Sequence, residues 1–211
     1  MRISKYGHAC LLIEEDGSKI LMDPGAFSKG FEELTGVNAI LITHQHPDHM
    51  VPDNIEKVTS KNPQVRVYSD EGSGEVLNQA GMKVQVVHEG DEFDINGLSV
   101  RVFGRDHAII HPDIPGIFNV GYMIAKRFFY PGDAFTIPGQ PVEVLAAPVG
   151  APWLKIEEAI DYVRAVKPKI VIPVHDGVLS AAGMQIQSGA LKNLGGEDQL
   201  SVIEDGESLE V

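Results

Sequence analysis

The chain has 211 residues, 43% hydrophobic and 22% charged, which is the make-up of a folded chain with a substantial core and excludes a largely disordered one. Thirty acidic residues against 17 basic give a net charge of −13, which disfavours unguided binding to nucleic acid or anionic membrane and suits a small-molecule substrate. The longest apolar runs, Ala39–Ile42 and Val142–Val149, are far shorter than the roughly 20 residues needed to cross a bilayer. Met1–His8 has no apolar stretch leading to a small-residue cleavage site, and the lone Cys10 has no partner for an internal disulfide. The expectation is therefore one domain over residues 1–211, in the cytoplasm and not in a membrane. No feature speaks to oligomeric state.

In chain order, residues 1–8 read as a first strand. Ala9–Glu14 and Lys19–Met22 form two antiparallel strands around the turn Glu15-Asp-Gly-Ser18. Val37–Thr43 is an apolar, β-branched strand that stops at His44-Gln-His-Pro-Asp-His49. Pro52–Lys61 opens with proline and an acidic residue and carries Ile55 and Val58 at helical spacing, so it reads as a helix. Next come a strand at Val65–Tyr68, a helix at Gly74–Ala80, a strand at Lys83–Val87, and a hairpin from Glu92–Ile95 to Leu98–Phe103 turned by Asn96-Gly97. The rest reads as strands Gly121–Ile124, Arg127–Tyr130 and Val144–Ala147, helix Lys155–Val166, strand Ile170–Pro173, helix Gly183–Leu194, and strands Leu200–Ile203 and Ser208–Val211.

Metal-ligand residue types recur where these strands end. His44, His46, Asp48 and His49 place three imidazoles and a carboxylate within six positions. Such donors suit Zn²⁺, Mn²⁺ or Fe²⁺, and the absence of a second cysteine excludes a thiolate-rich structural zinc site. After the strand ending at Phe103, Arg105-Asp-His107-Ala-Ile-Ile-His111 offers two further histidines. His107 is favoured as a ligand because it lies nearer the strand end; His111, before a proline, could face the cleft as a substrate contact or proton donor. His175 follows another strand end. His88 reads as a solvated turn residue, and Trp153, in Pro148–Trp153, as a pocket wall or structural corner.

Thr43-His44-Gln-His46-Pro-Asp48-His49 resembles the THxHxDH signature of the metallo-β-lactamase superfamily. Met22-Asp23-Pro24 is similar to that family's bracing aspartate motif, Tyr130-Pro-Gly-Asp133 to its bridging carboxylate motif, and Pro173-Val-His175 to its final histidine motif. The resemblance runs from Ile3 to about Gly177. It implies an α/β fold, a four-layered αββα sandwich with a metal pair at one edge. One ion would be held by His44, His46 and a third histidine, the other by Asp48, His49 and His175, with Asp133 shared. Two ions about 3.5 to 4 Å apart would hold a bridging hydroxide that attacks the substrate, and Asp48 could orient it. Gly7-His8-Ala9 with Ile13 is similar to the opening of a branch resembling ascorbate-6-phosphate lactonases and other small cytoplasmic hydrolases, where His8 could line the cleft.

The resemblance thus implies a binuclear metallohydrolase, zinc being the first expectation for the metal, acting on an ester, lactone or phosphodiester of a small molecule. A nuclease would need a basic cleft. A di-iron redox protein of the same fold would carry glutamate where His46 stands, and a non-catalytic binding protein would leave the clustered charges unpaired.

Overall fold

The computed structural model describes residues 1–195 and 200–211. Strands β1 (Arg2–Lys5), β2 (Leu11–Glu15), β3 (Ser18–Met22) and β4 (Ala39–Ile42) lead to helix α1 (Pro52–Lys61), then β5 (Arg66–Ser69), α2 (Glu71–Gln79) and β6 (Gln85–Val86). There follow β7 (Glu92–Ile95), β8 (Leu98–Phe103), β9 (Gly121–Ile124), β10 (Phe128–Tyr130), β11 (Val144–Pro148), α3 (Ile156–Val166), β12 (Ile170–Val174), α4 (Ala181–Gly195) and β13 (Ser208–Glu210). A seven-stranded sheet runs β13-β1-β2-β3-β4-β5-β6 and a six-stranded sheet β12-β11-β10-β9-β8-β7.

Alternation along the strands divides the apolar residues among three layers. Ile13, Met22, Leu41 and Tyr68 of the first sheet meet Val100, Tyr122, Phe128 and Ile172 of the second in the central core. The other face of the first sheet, with Leu21, Ile40 and Val67, is covered by Ile55 and Val58 of α1 and Leu77 of α2. The other face of the second, with Met123, Phe129 and Leu145, lies under Ile160 and Val163 of α3 and Leu191 of α4. This is the αββα sandwich expected from the sequence. Strands such as β4 and β11, covered on both sides, are buried throughout, which is why they read as unbroken apolar runs.

β3, β4 and β5 are parallel neighbours, as are β10, β11 and β12. The carboxyl ends of each parallel set therefore share one edge, where a layered α/β fold places its ligands. Asp23 follows β3, His44 follows β4, Asp133 follows β10 and His175 follows β12.

Several expectations shift. β1 ends at Lys5 because Gly7 and His8 take positive φ, 97° and 48°, and turn the chain. The strand expected at Lys83–Val87 pairs only at Gln85 and Val86. Continuing that register would set Lys83 opposite Arg66, two like charges. The expected helix at Gly74–Ala80 begins earlier, at Glu71, because the Asp70 carboxylate accepts the N–H groups of Gly72 (2.8 Å) and Ser73 (3.2 Å). The strand expected at Leu200–Ile203 is reduced to one bridge, Leu200 to Val171. Two residues beyond Val171, Pro173 faces the same side of β12 and has no N–H to extend that pairing. No described helix is long and apolar enough to cross a membrane.

Candidate metal centre

The loop after β4 is shaped by the chain beside it. A Cβ on Gly25 would stand 1.8 Å from the Asp48 carbonyl oxygen, and one on Gly132, at φ +66°, would stand 2.7 Å from the Thr43 Cβ. Only glycine lets the backbone pass so close. Asp23, His8 and His175 themselves hold φ values of 41°, 48° and 60°. Left-handed backbone at three non-glycine positions is costly and is characteristic of functional sites.

The structure brings the seven expected metal ligands into one cluster. His44, His46, His107 and Asp133 offer ligand atoms within 4.8 Å of one another, and a second such group comprises His8, Asp48, His49 and His175. Asp133 joins the two. Its Oδ1 lies 3.1 Å from His49 Nε2, and its Oδ2 lies 3.0 Å from His175 Nε2 and 3.3 Å from His107 Nε2.

Four of the histidines are turned by what holds the far side of the ring. His49 Nδ1–H donates to Asp23 Oδ2 (2.7 Å), His175 Nδ1–H to the Gly150 carbonyl (2.5 Å) and His107 Nδ1–H to the Ala108 carbonyl (2.5 Å). His44 Nδ1–H donates to Thr43 Oγ1 (3.0 Å), whose own proton goes to Asp23 Oδ2 (2.7 Å). Each Nδ1 therefore carries the proton, and each Nε2 presents a lone pair to the centre. His49 Nε2, His107 Nε2, His175 Nε2 and Asp133 Oδ1 are buried with no hydrogen-bond partner among the described residues. Buried polar atoms left so are rare, and convergent imidazole nitrogens beside a carboxylate are a donor set for divalent cations. The residues fit a metal pair.

His8 differs from its neighbours. The Gly177 N–H donates to its Nδ1 (2.9 Å), so its proton sits on Nε2, which donates to Asp48 Oδ2 (3.1 Å). In this tautomer His8 holds a candidate ligand rather than presenting a lone pair. Burial would raise the Asp48 carboxyl, but His175 beside it and the hydrogen bond from His8 outweigh burial and hold the group well below the usual carboxylate range. Asp133 is likewise lowered against its burial, by His49, His107 and His175. Burial, with His49 adding to it, pushes the His44 imidazole well below the ordinary histidine range.

Sequence reading did not single out several supports of this cluster. The Asn119 side chain accepts the Asp133 N–H (2.9 Å) and donates to the Pro131 carbonyl (2.9 Å), fixing the turn that carries the carboxylate. Lys5, buried, is paired with Asp176, next to His175. Neither has a signal in spacing, since both reach the site through tertiary contact. Trp153, foreseen only as a wall or corner, donates its Nε1–H to Asp133 Oδ2 (2.9 Å). His111 stands apart from both groups, its side chain 60% exposed on the loop after β8, and its Nδ1 accepts the Asp113 N–H. His88 is exposed, as expected. A cavity of about 780 Å³ lies between α1 and the strands β5 and β6 and is lined by none of the clustered residues.

The pattern described as the beta-lactamase superfamily domain matches residues 2–175, and the chain belongs to that family. It is 42% identical over 199 residues to protein Rv0786c of Mycobacterium tuberculosis, covering 92% of both chains. It is 27% identical to a UPF0173 metal-dependent hydrolase of Methanocaldococcus jannaschii, covering 82% of this chain and 83% of that one. Among solved structures it superimposes on Igni18, a metallo hydrolase from Ignicoccus hospitalis, with a TM-score of 0.77 at 20% identity, covering 99% and 97% of the two chains.

Proposed function

We propose that the protein is a binuclear metal-dependent hydrolase acting on an ester, lactone or phosphodiester bond of a small molecule. The observation that carries this reading is the convergence of imidazole Nε2 atoms on Asp133, each turned inward by an anchored Nδ1. His44, His46, His107 and Asp133 would hold one divalent ion, and Asp48, His49, His175 and Asp133 the other. Nitrogen and oxygen donors without thiolate suit zinc first, with manganese or iron acceptable. Such ions supply Lewis acidity, which acidifies water and polarises the oxygen of the bond to be broken.

The chain's own residues do the positioning. Trp153 and the Asn119 turn hold Asp133 from two sides, and His8 fixes one oxygen of Asp48, so that Asp48 can orient the attacking water. His111, out on its loop, would meet substrate rather than metal. Support for hydrolysis also comes from the M. jannaschii relative, a metal-dependent hydrolase by name. The test is turnover of a phosphodiester, a lactone and a carboxylic ester by zinc-loaded protein, with and without chelator. Chelator-sensitive turnover of one class is expected. No turnover by protein carrying its full metal would contradict the reading.

A further inference from the structure

Beside the metal cluster a cavity of about 300 Å³ is lined by His46 and His107 on one side and by the 108–117 segment on the other, with Ile109, Ile114, Ile117 and two prolines among its walls. At roughly 30 Å³ for a water-sized group it has room for about ten heavy atoms. Among the described residues, its ionisable lining residues are His46, His107 and His111, with neither lysine nor arginine. On this loop Ile109 is 78% and Ile114 50% exposed. Across the cluster Phe27, 55% exposed, sets its ring edge-on to His8 with centroids 5.3 Å apart, and Val178, 51% exposed, follows the Gly177 that anchors His8. Single exposed apolar side chains are ordinary, but several gathered about one polar centre mark a surface that is covered in use.

Resting on the hydrolase reading above, we propose that the substrate is a carboxylic ester or lactone with an uncharged, apolar acyl body of medium length, received by the pocket between the metal cluster and the 108–117 loop. Beyond the metal centre itself, the described walls offer no lysine or arginine to pair with a phosphate on the body of the substrate, in a protein of net charge −13. An apolar acyl chain gains by leaving water against Ile109, Ile114 and Ile117. In the reaction, water adds its oxygen to the acyl carbon and the acyl C–O bond breaks with its electron pair on the alcohol oxygen. One water proton ends on that oxygen, the other in solvent, leaving a carboxylate.

The test uses zinc-loaded full-length protein with p-nitrophenyl acetate, butyrate and octanoate beside bis(p-nitrophenyl) phosphate. The proposal expects kcat/KM to rise at least about tenfold from acetate to octanoate, since each buried methylene contributes. In the double variant Ile109→Ser, Ile114→Ser the octanoate-to-acetate ratio should fall to about one, with zinc content unchanged. A flat series in the unaltered protein, or preference for the phosphodiester, would overturn the pocket assignment and leave the hydrolase reading standing. If fully metallated protein turns over none of these and no lactone, the hydrolase reading fails and the pocket is judged by binding alone. Trp153 is the only tryptophan and its ring centroid lies 6.0 Å from that of His107, so its fluorescence can follow titration with acetohydroxamate and octanohydroxamate. Tighter binding of the octanoyl compound by about tenfold would support the pocket, and equal binding would overturn it.

Discussion

Asp133 is the residue on which both halves of the centre depend, because its two oxygens stand near histidines of both groups. Asp133→Ala should lose at least one bound metal and nearly all turnover while the protein still folds, as checked by elemental analysis and circular dichroism. His107→Ala should cost metal as well, whereas His111→Ala, altering an exposed side chain outside both groups, should impair activity less and leave metal content intact. His8 gives a finer test. Its replacement by Ala frees Asp48 and should weaken metal affinity by about tenfold or more, as loss of a ligand's outer hydrogen bond commonly does. A glutamine there, able to donate to Asp48, should restore part of that affinity.

At the scale of elements, the strand ends were legible because chemistry and chain punctuation coincide. An apolar strand halted by His44-Gln-His-Pro-Asp-His49 announces both its end and its purpose, and the Asn96-Gly97 hairpin was found from two residues that take positive φ, 51° and 96°. What was illegible depends on neighbours: β6 is cut short by its register against β5, and the chain after Leu200 is held to one bridge by Pro173 on β12. Asn119 joins the site only because the chain before β9 meets the turn after β10, and Lys5 only because β1 meets the loop after β12.

The cap of α2 yields a pH prediction. Burial raises the Asp70 carboxyl to about 6, well above the ordinary value of 3.8, so the folded state holds this proton more tightly than the unfolded chain. Its contribution to stability is therefore full below about pH 4 and is lost as pH rises through 6. Asp70→Asn keeps a capping oxygen without the charge. Relative to the parent it should gain stability between pH 4 and pH 7, by at most about 3 kcal/mol from the two-unit shift, as read in urea denaturation at each pH. A pH-independent difference would show that Asp70 is not strained by its charge.

Across the whole molecule, two sheets from distant parts of the sequence bring their carboxyl ends to one edge, and neither sheet carries a complete set of the candidate ligands. His44, His46, Asp48 and His49 come from the first, and His107, Asp133 and His175 from the second. Metal binding should therefore clamp the sheets together and stabilise the fold. With free zinc at a hundred times its dissociation constant, one site contributes about 2.7 kcal/mol, and the melting temperature should rise by roughly 5 to 10 °C. Chelator should reverse the shift. Composition gave the size of the core, and the ligand motifs gave the edge of the sandwich where the site lies. The acyl pocket was not legible, because Ile109 and Ile114 in a loop read only as apolar residues until the fold sets them beside His46 and His107.

These side chains are proposed to hold two divalent ions. The most direct measurement is the metal content of the protein after equilibrium dialysis against zinc, determined by elemental mass spectrometry and normalised to chain concentration. Two equivalents per chain in the parent, falling to one or fewer in Asp133→Ala, is the predicted result; one equivalent or none in the parent, or two retained in the variant, would contradict it.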